Sequence, residues 1–596
     1  MSLNSHTRDK YLSYFLKTPR WWWALASVFF EKLKNKVKRK LFGDSFAKVS
    51  GRYNTPERRQ ILTLAEDISE VSVTARTLMG LPDLEYNVKE ISQSASEFTV
   101  SLATKQVLLN QDIFQQGYID QEDTFAANRF IWIYELLLHH QTLDALRYVE
   151  TIILSWIDQY PLPKPGKEFE SYSISERIIA WLFFLRVAKS KLGFQGSIDK
   201  IADSLGLQIA FLVKNLEYRG ASTNNHVVNN ARALYISSRL LSIKETEDVA
   251  KRIFDNELSM VVRDGVMVEG SSHYQFLLCK NLIEVLSVAE ITRDEIFMAK
   301  MKSVCSEMLT VCRSLHSEYI GGNYPLFGDI SPDLPPDWFI GYPFGKNKEE
   351  PSKWYQLMNY DPFELIQSGS VQKSPLANSS WVNMCKNGFE VWCNLRKGRP
   401  PGHGHVDNGS IALSLSGKSV IIDLGLSTYA DLSQKNRQIN HLAHNTPIIN
   451  GYPIDIIFGS LLSNVPAYSH GQLQELKNGK MSILLQYAQE QLQVGRDIQI
   501  NDGGAVEILD TNLGKREVDY ETHWYFLSSC RKSSGLNFEF DHFNIEVEGS
   551  KFVTVNEIPD SKRSYRYGNL IPCFGLVVQD RLGENGVKLR IKSKNG

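Results

Sequence analysis

The chain has no Cys-x-x-Cys pair, and its seven cysteines are scattered from Cys279 to Cys573. An odd, widely spaced set argues against a disulfide framework and against a thiolate zinc site. Cys305 and Cys312, seven apart in a helical pattern, read as small buried residues. Long apolar runs are also missing. Trp21 to Phe30 is the most membrane-like stretch, and it reaches only about half of the ~20 residues that a spanning helix needs. Charge of one sign is not in excess: Lys+Arg 66 against Asp+Glu 67 gives a net charge of -1. A polyanionic partner would therefore have to be held by a local basic cleft, not by the overall field. Outside residues 32 to 40 there is no basic stripe with interleaved aromatics, which argues against nucleic acid as a partner. There is no HExxH motif, no low-complexity tract and no short internal repeat.

What is present is a soluble composition, 43% hydrophobic and 22% charged, in a chain of 596 residues, too long for one ordinary core. From about residue 56 to 320 apolar residues recur at three and four residue spacing, with no sheet-like segment. Helices are expected at Phe125 to His139, Ser173 to Ala188 (opened by a Ser173/Glu176 capping box), Asn225 to Leu241 and Asn281 to Leu315. Between about 320 and 375 the texture turns to Gly, Pro, Asp and aromatic residues, as at a domain junction. Beyond it, GSIALSLSGKSVIIDLG, KMSILLQYAQ and FNIEVEGSKFVTVNE alternate like antiparallel strands. The expected architecture is α+β and multidomain: a basic, aromatic extension over 1–50, helical hairpins over 51–360, and a β-sandwich over 375–596. Residues 21–40, aromatic and then basic, could lie flat on an anionic membrane surface, or form a plain solvated helix.

Three constellations could carry chemistry. In TNNHVVNN, Asn225, His226 and Asn229 fall on one helical face, where amides and an imidazole can hydrogen-bond a carboxylate as charge develops on it. Helix capping by Asn224 or Thr223 is the alternative. In DGVMVEGSSHYQ, Tyr274 stands at the entrance of an apolar helix, with Glu269 just before it. A tyrosine there can exchange a proton if its surroundings tune it, or can simply be buried. In GHGHVDNG, alternation along a strand would put His403, His405 and Asp407 on one face, with Asp423 and His444 downstream. Two imidazoles and a carboxylate from separate strands form a normal zinc set.

In this order, NNHVVNNARAL, DGVMVEGSSHY, GDISPD, GHGHVDNGSIALSLSGKSVIIDLG and AHNTPIINGYP resemble the heparinase II/III-like polysaccharide lyases, a group that includes alginate lyases. The resemblance implies an incomplete α/α toroid followed by an antiparallel β-sandwich, and β-elimination at a uronic acid of an acidic polysaccharide. By motif position it implies that Asn225 and His226 neutralise the uronate carboxylate, that Tyr274 is the catalytic tyrosine, and that His403 is a second acid/base group. His405, Asp423 and His444 match the set that holds a structural zinc in several members. Asn229, Glu269, Arg219 and Arg437 are candidate substrate contacts. The chain departs from many relatives in having Gln275 after the tyrosine, and from some in having Asn229 in place of an acid. The competing readings are a zinc-dependent glycan hydrolase using the His/Asp cluster, and a non-catalytic glycan-binding protein of surface polysaccharide assembly. With no small-x-small cleavage site after the aromatic run, the expected location is cytoplasmic, at the inner membrane face, with the periplasm as the alternative.

Overall fold

The computed structural model describes residues 55–82, 98–140, 142–192, 197–218, 224–316, 324–363, 381–396, 402–450, 452–453, 469–487 and 492–594. The 21–40 segment and Arg219 lie outside these. No helix among the described residues is long and apolar enough to cross a membrane.

The first part is a succession of helices that bury their apolar faces on one another. Asn225–Leu241 is almost wholly buried, packed on Ser171–Leu192, Lys244–Val261 and Ser272–Ile291. Asn224 caps it by accepting from the His226 N–H, so the capping role falls to that residue. Two expected helices are each broken in two by a residue in the left-handed region. Phe130 (φ 60) separates Gln121–Arg129 from Trp132–His139, and Arg293 (φ 56) turns Ser272–Ile291 into Glu295–Leu315. Neither residue is a glycine, so local propensity gave no warning. The expected Ser173/Glu176 box does not form either. The helix begins at Ser171, Ser173 is held by Glu170 Oε2, and Glu176 points into the core.

The helical part also contains two short hairpins that the periodicity missed, Thr99–Ser101 with Gln106–Leu108 and Val262–Arg263 with Val266–Met267. The second turns on Asp264-Gly265, both at positive φ, as a two-residue hairpin of this twist requires. Strands of two or three residues are too short to display a period of two.

The second part is a pair of antiparallel sheets. One has nine strands among the described residues. Its main path runs from Tyr452–Pro453 through Ile448–Ile449, Val518–Phe526, Lys418–Ile421, Ile411–Leu415 and Phe389–Asn394 to Trp381–Lys386. The other has eight, including Lys480–Tyr487, Gln493–Asn501, Ala505–Asn512 and Val587–Ser593. Strict alternation of burial along these strands, as in Gln493–Asn501, sends Val494, Ile498 and Ile500 to the shared core and leaves the intervening residues half-exposed. Trp381, Trp392 and Tyr567 of the sheet region instead join the helical core, so the two parts are packed together through aromatic side chains. The segment 324–363, expected as a junction, is no loose linker: Phe327, Ile330, Trp338 and Phe339 are buried, and this wedge carries part of the site.

Candidate active site

Three backbone segments are stitched together at the contact between the helices and the sheets. His403 N–H donates to the Glu269 carbonyl, and the His403 carbonyl accepts from Asp329 N–H, both at 2.9 Å. Gly328 makes the approach possible. It sits at φ +74, and a Cβ there would lie 2.5 Å from the His403 carbonyl oxygen and 2.6 Å from that of Gly270. Ser271 caps the helix Ser272–Ile291 by accepting from Tyr274 N–H, while its own hydroxyl donates to the Asp329 carbonyl. The start of the Tyr274 helix is thus tied to the Asp329 loop.

The side chains converge in the same place. The Tyr274 and His403 rings stack, with centroids 3.7 Å apart and planes at 13°. The Tyr274 hydroxyl lies 3.4 Å from that of Tyr429, which donates to Asp329 Oδ2 at 2.8 Å. Asp329 also pairs with His403 Nδ1 (3.0 Å) and His405 Nε2 (2.9 Å), so one carboxylate receives three side-chain partners. Burial alone would raise its pKa, but the hydrogen bonds to His403 and His405 outweigh it and hold Asp329 well below the usual carboxylate range. Burial, reinforced by the nearby Asp329 charge, holds the Tyr274 hydroxyl well above the usual phenol range, so it carries its proton at neutral pH. His403 Nε2 lies 3.3 Å from Glu269 Oε2, so both nitrogens of this imidazole face a carboxylate.

The second wall is the start of the helix Asn225–Leu241. Asn225 N–H donates to Glu269 Oε1 (2.7 Å), and its side-chain Oδ1 is buried without a hydrogen-bond partner. His226 lies beside the Tyr172 ring, centroids 4.8 Å apart, and its Nδ1 is 3.2 Å from Glu217 Oε1. Its Nε2 has no hydrogen bond among the described residues. The Tyr172 hydroxyl donates to Asp333, which is also held by Arg129 at 2.7 Å.

His405, Asp423 and His444 are all buried, with one ligand atom of each within 4.8 Å of the others. His405 Nδ1 is a buried polar atom with no hydrogen-bond partner, the condition a metal ion would relieve. His405 Nε2 faces Asp329, as the outer partner of a metal-bound imidazole does, and His444 Nδ1 lies 2.6 Å from Asp423 Oδ2 within the set itself. The set fits a zinc-type ion. Its burial leaves no open position for a substrate, which argues against the hydrolase reading. Glu170, Glu217 and His226 also bring ligand atoms within 4.8 Å, nearer the open side.

The residues 391–557 match the family model described as "Heparinase II/III-like, C-terminal". That segment is a heparinase II/III-like C-terminal domain. No curated protein matches the chain. Among solved structures, a heparinase III has a TM-score of 0.59 at 14% identity, covering 94% of this chain and 92% of that one. A mutant of the heparan sulfate lyase HepC from Pedobacter heparinus has 0.53 at 13%, covering 94% and 90%. Identities this low establish the shared fold, a helical toroid followed by a β-sandwich, across nearly the whole chain.

Within this heparinase II/III-like arrangement the structure brings Asn225, Tyr274 and His403 together around Glu269. Glu269 is spent on the Asn225 N–H and on His403, turned inward rather than toward a ligand. Asn229 is 2% exposed, with its amide shared between Glu176 and Arg232, so it braces the helix. Arg437 is exposed in the helix Leu432–Ile439, and none of its side-chain contacts reaches the cluster. Residues 402–410 do not form the expected strand. They are a turn-rich loop in which His403 and His405 reach the two oxygens of Asp329, while Asp407 pairs with Arg396 instead. Gln275 faces away from the site, holding Met267 N–H and the Gly265 carbonyl at the hairpin, which accounts for a non-histidine there. No local basic cleft lines the described residues of the site. Arg129 is matched by Asp333, and Arg232 by Glu176 and Glu284. Sequence reasoning missed Asp329, Tyr429, Tyr172 and Glu217. Asp329 had a signal, an Asp after Gly in GDISPD, but Tyr429 meets the site only through folding.

Proposed function

We propose that the chain cleaves a uronate-containing polysaccharide by β-elimination. The observation that carries this reading is the buried Tyr274 ring stacked on His403, an imidazole that Glu269 links to Asn225. In this reading Asn225 meets the uronate carboxylate and stabilises the negative charge that spreads onto it when the C5 proton leaves. Tyr274 delivers its proton to the departing O4 oxygen, and Tyr429 and Asp329 hold the hydroxyl in place. His226 is the better candidate to take the C5 proton. Its Nδ1 is oriented by a buried carboxylate, as in a His–acid dyad, and its Nε2 is left for substrate, whereas both nitrogens of His403 already face carboxylates. A structural zinc on His405, Asp423 and His444 would fasten the sheet region to the Asp329 loop. No step of the elimination passes through it.

The test is incubation of the full chain with alginates, heparan-type chains, hyaluronan and bacterial capsular polysaccharides, following the ultraviolet absorbance of the unsaturated uronate. Tyr274→Phe is expected to lower kcat about 10²- to 10⁴-fold while the protein stays folded. Near-normal activity in that variant would remove Tyr274 from the chemistry. New reducing ends without absorbance would point to hydrolysis, and neither signal to a glycan-binding protein.

A further inference from the structure

A cavity of about 480 Å³ opens between the 324–337 wedge and the nine-stranded sheet, and neither the catalytic cluster nor the helix Asn225–Leu241 lines it. One wall is a small hairpin, Lys562–Arg566 with Asn569–Pro572, which presents Arg563, Tyr565 and Arg566. Tyr324 and several Leu, Ile and Pro side chains form the opposite wall and floor.

The charges here are unevenly matched. Two carboxylates reach the rim, and both are already engaged, Asp337 with Lys353 and Asp423 with His444. The two arginines are not. Neither guanidinium forms an ion pair or side-chain hydrogen bond among the described residues, and Arg563 Nε is a buried donor with no acceptor. Asp423 attracts Arg563 only at longer range than an ion pair. Arg232 and Arg496, both wholly buried, are given carboxylate partners from within, and the equally buried Arg177 is held by Gln208 and by backbone carbonyls. A planar guanidinium left with free donors beside an enclosed space suits an external carboxylate or sulfate. The volume exceeds that of a bare anion, and the tyrosine and aliphatic walls suit the apolar faces of a sugar ring.

We propose that this cavity is a second, non-catalytic saccharide site, which binds an acidic monosaccharide unit or chain end through Arg563 and Arg566. The choice of a uronate over other anions rests on the lyase reading above; the anion site itself rests on the arginines.

The experiment is calorimetric titration with glucuronate, inorganic sulfate and glucose of the full chain carrying Asn225→Ala, which removes the proposed catalytic contact with the carboxylate, repeated with Arg563→Gln or Arg566→Gln added. Glucuronate is expected to bind the Asn225→Ala chain with a dissociation constant on the order of 1 mM. The expected pattern is about tenfold weakening when either arginine is replaced, and no binding of glucose. Glucuronate binding that survives both arginine substitutions, or that is absent from the Asn225→Ala chain, would overturn the proposal. Sulfate binding as tightly as glucuronate would reduce it to a bare anion site. Arg566 is the less enclosed of the two and carries the test if Arg563→Gln fails to fold. Loss of the lyase reading would appear as no unsaturated product on any glycan, a result independent of these titrations.

Discussion

Asp329 is the residue on which most of the cluster depends, because one carboxylate receives Tyr429, His403 and His405. Asparagine has nearly the same shape but one acceptor oxygen, so at least one donor would face an NH₂ group. Asp329→Asn is expected to cost about 1–3 kcal/mol of stability, read by denaturant unfolding, and to lower kcat more than it changes KM. An unchanged kcat would mean that the carboxylate only fills space. Glu122 gives the pH prediction. Burial, with the charges of Asp333, Glu170 and Asp120 assisting and Arg129 opposing, pushes its carboxyl up from 4.5 to about 7. The folded protein then holds that proton more tightly than the unfolded chain. This contribution to stability is complete below the ordinary carboxyl range and is lost as pH rises through about 7. Glu122→Gln should therefore gain in Tm relative to the native chain as pH is raised from mildly acidic to mildly alkaline. Parallel Tm curves would show that Glu122 titrates normally.

The helix Asn225–Leu241 delivers Asn225 and His226 to the cluster, and a buried charge network fixes its position. Arg232, wholly enclosed, reaches Glu176 on one neighbouring helix (2.8 Å) and Glu284 on another (2.5 Å), with Lys280 and Trp354 completing the Glu284 shell. Removing the cation strands two buried carboxylates. Arg232→Met is expected to destabilise by about 3–5 kcal/mol, measured by chemical denaturation, and a loss below ~1 kcal/mol would contradict the buried-network account. This helix was the most legible element in the sequence, because cap and apolar spacing agree at the same boundary. The loop 402–410 was the least legible. Its alternation of His, His and Asp imitates a strand, and only the Glu269–His403–Asp329 backbone bonds show that a loop brings the imidazoles to one carboxylate. Gly328 belongs to the same level: Gly328→Ala should shift Asp329 away from His403 and lower both Tm and kcat, because backbone oxygens on two sides block a Cβ.

Across the whole molecule, helices and sheets are joined by the aromatic seam of Trp381, Trp392 and Tyr567, by Asp120 bonding to Thr428 and Tyr567, and by the Asp329–His405 contact. If His405, Asp423 and His444 hold zinc, chelation should lower the Tm of the native chain and leave that of His444→Ala unmoved, since ligand binding to the folded form alone stabilises it. Equal shifts in both proteins would exclude this set as the metal site. Local pattern determined the order of helices and then strands, the Asn225–Leu241 helix with its cap, and the segments that bear Tyr274, His403 and the candidate metal ligands. Those features follow from residue spacing and side-chain chemistry, which act over a few neighbours. Tertiary structure alone decided that Asp329 unites the histidines and Tyr429, that Glu269 and Asn229 turn inward, and that two arginines remain unmatched at the interdomain cavity. These depend on which distant segments share a wall, and burial and pairing across gaps of a hundred residues or so leave no period in the chain.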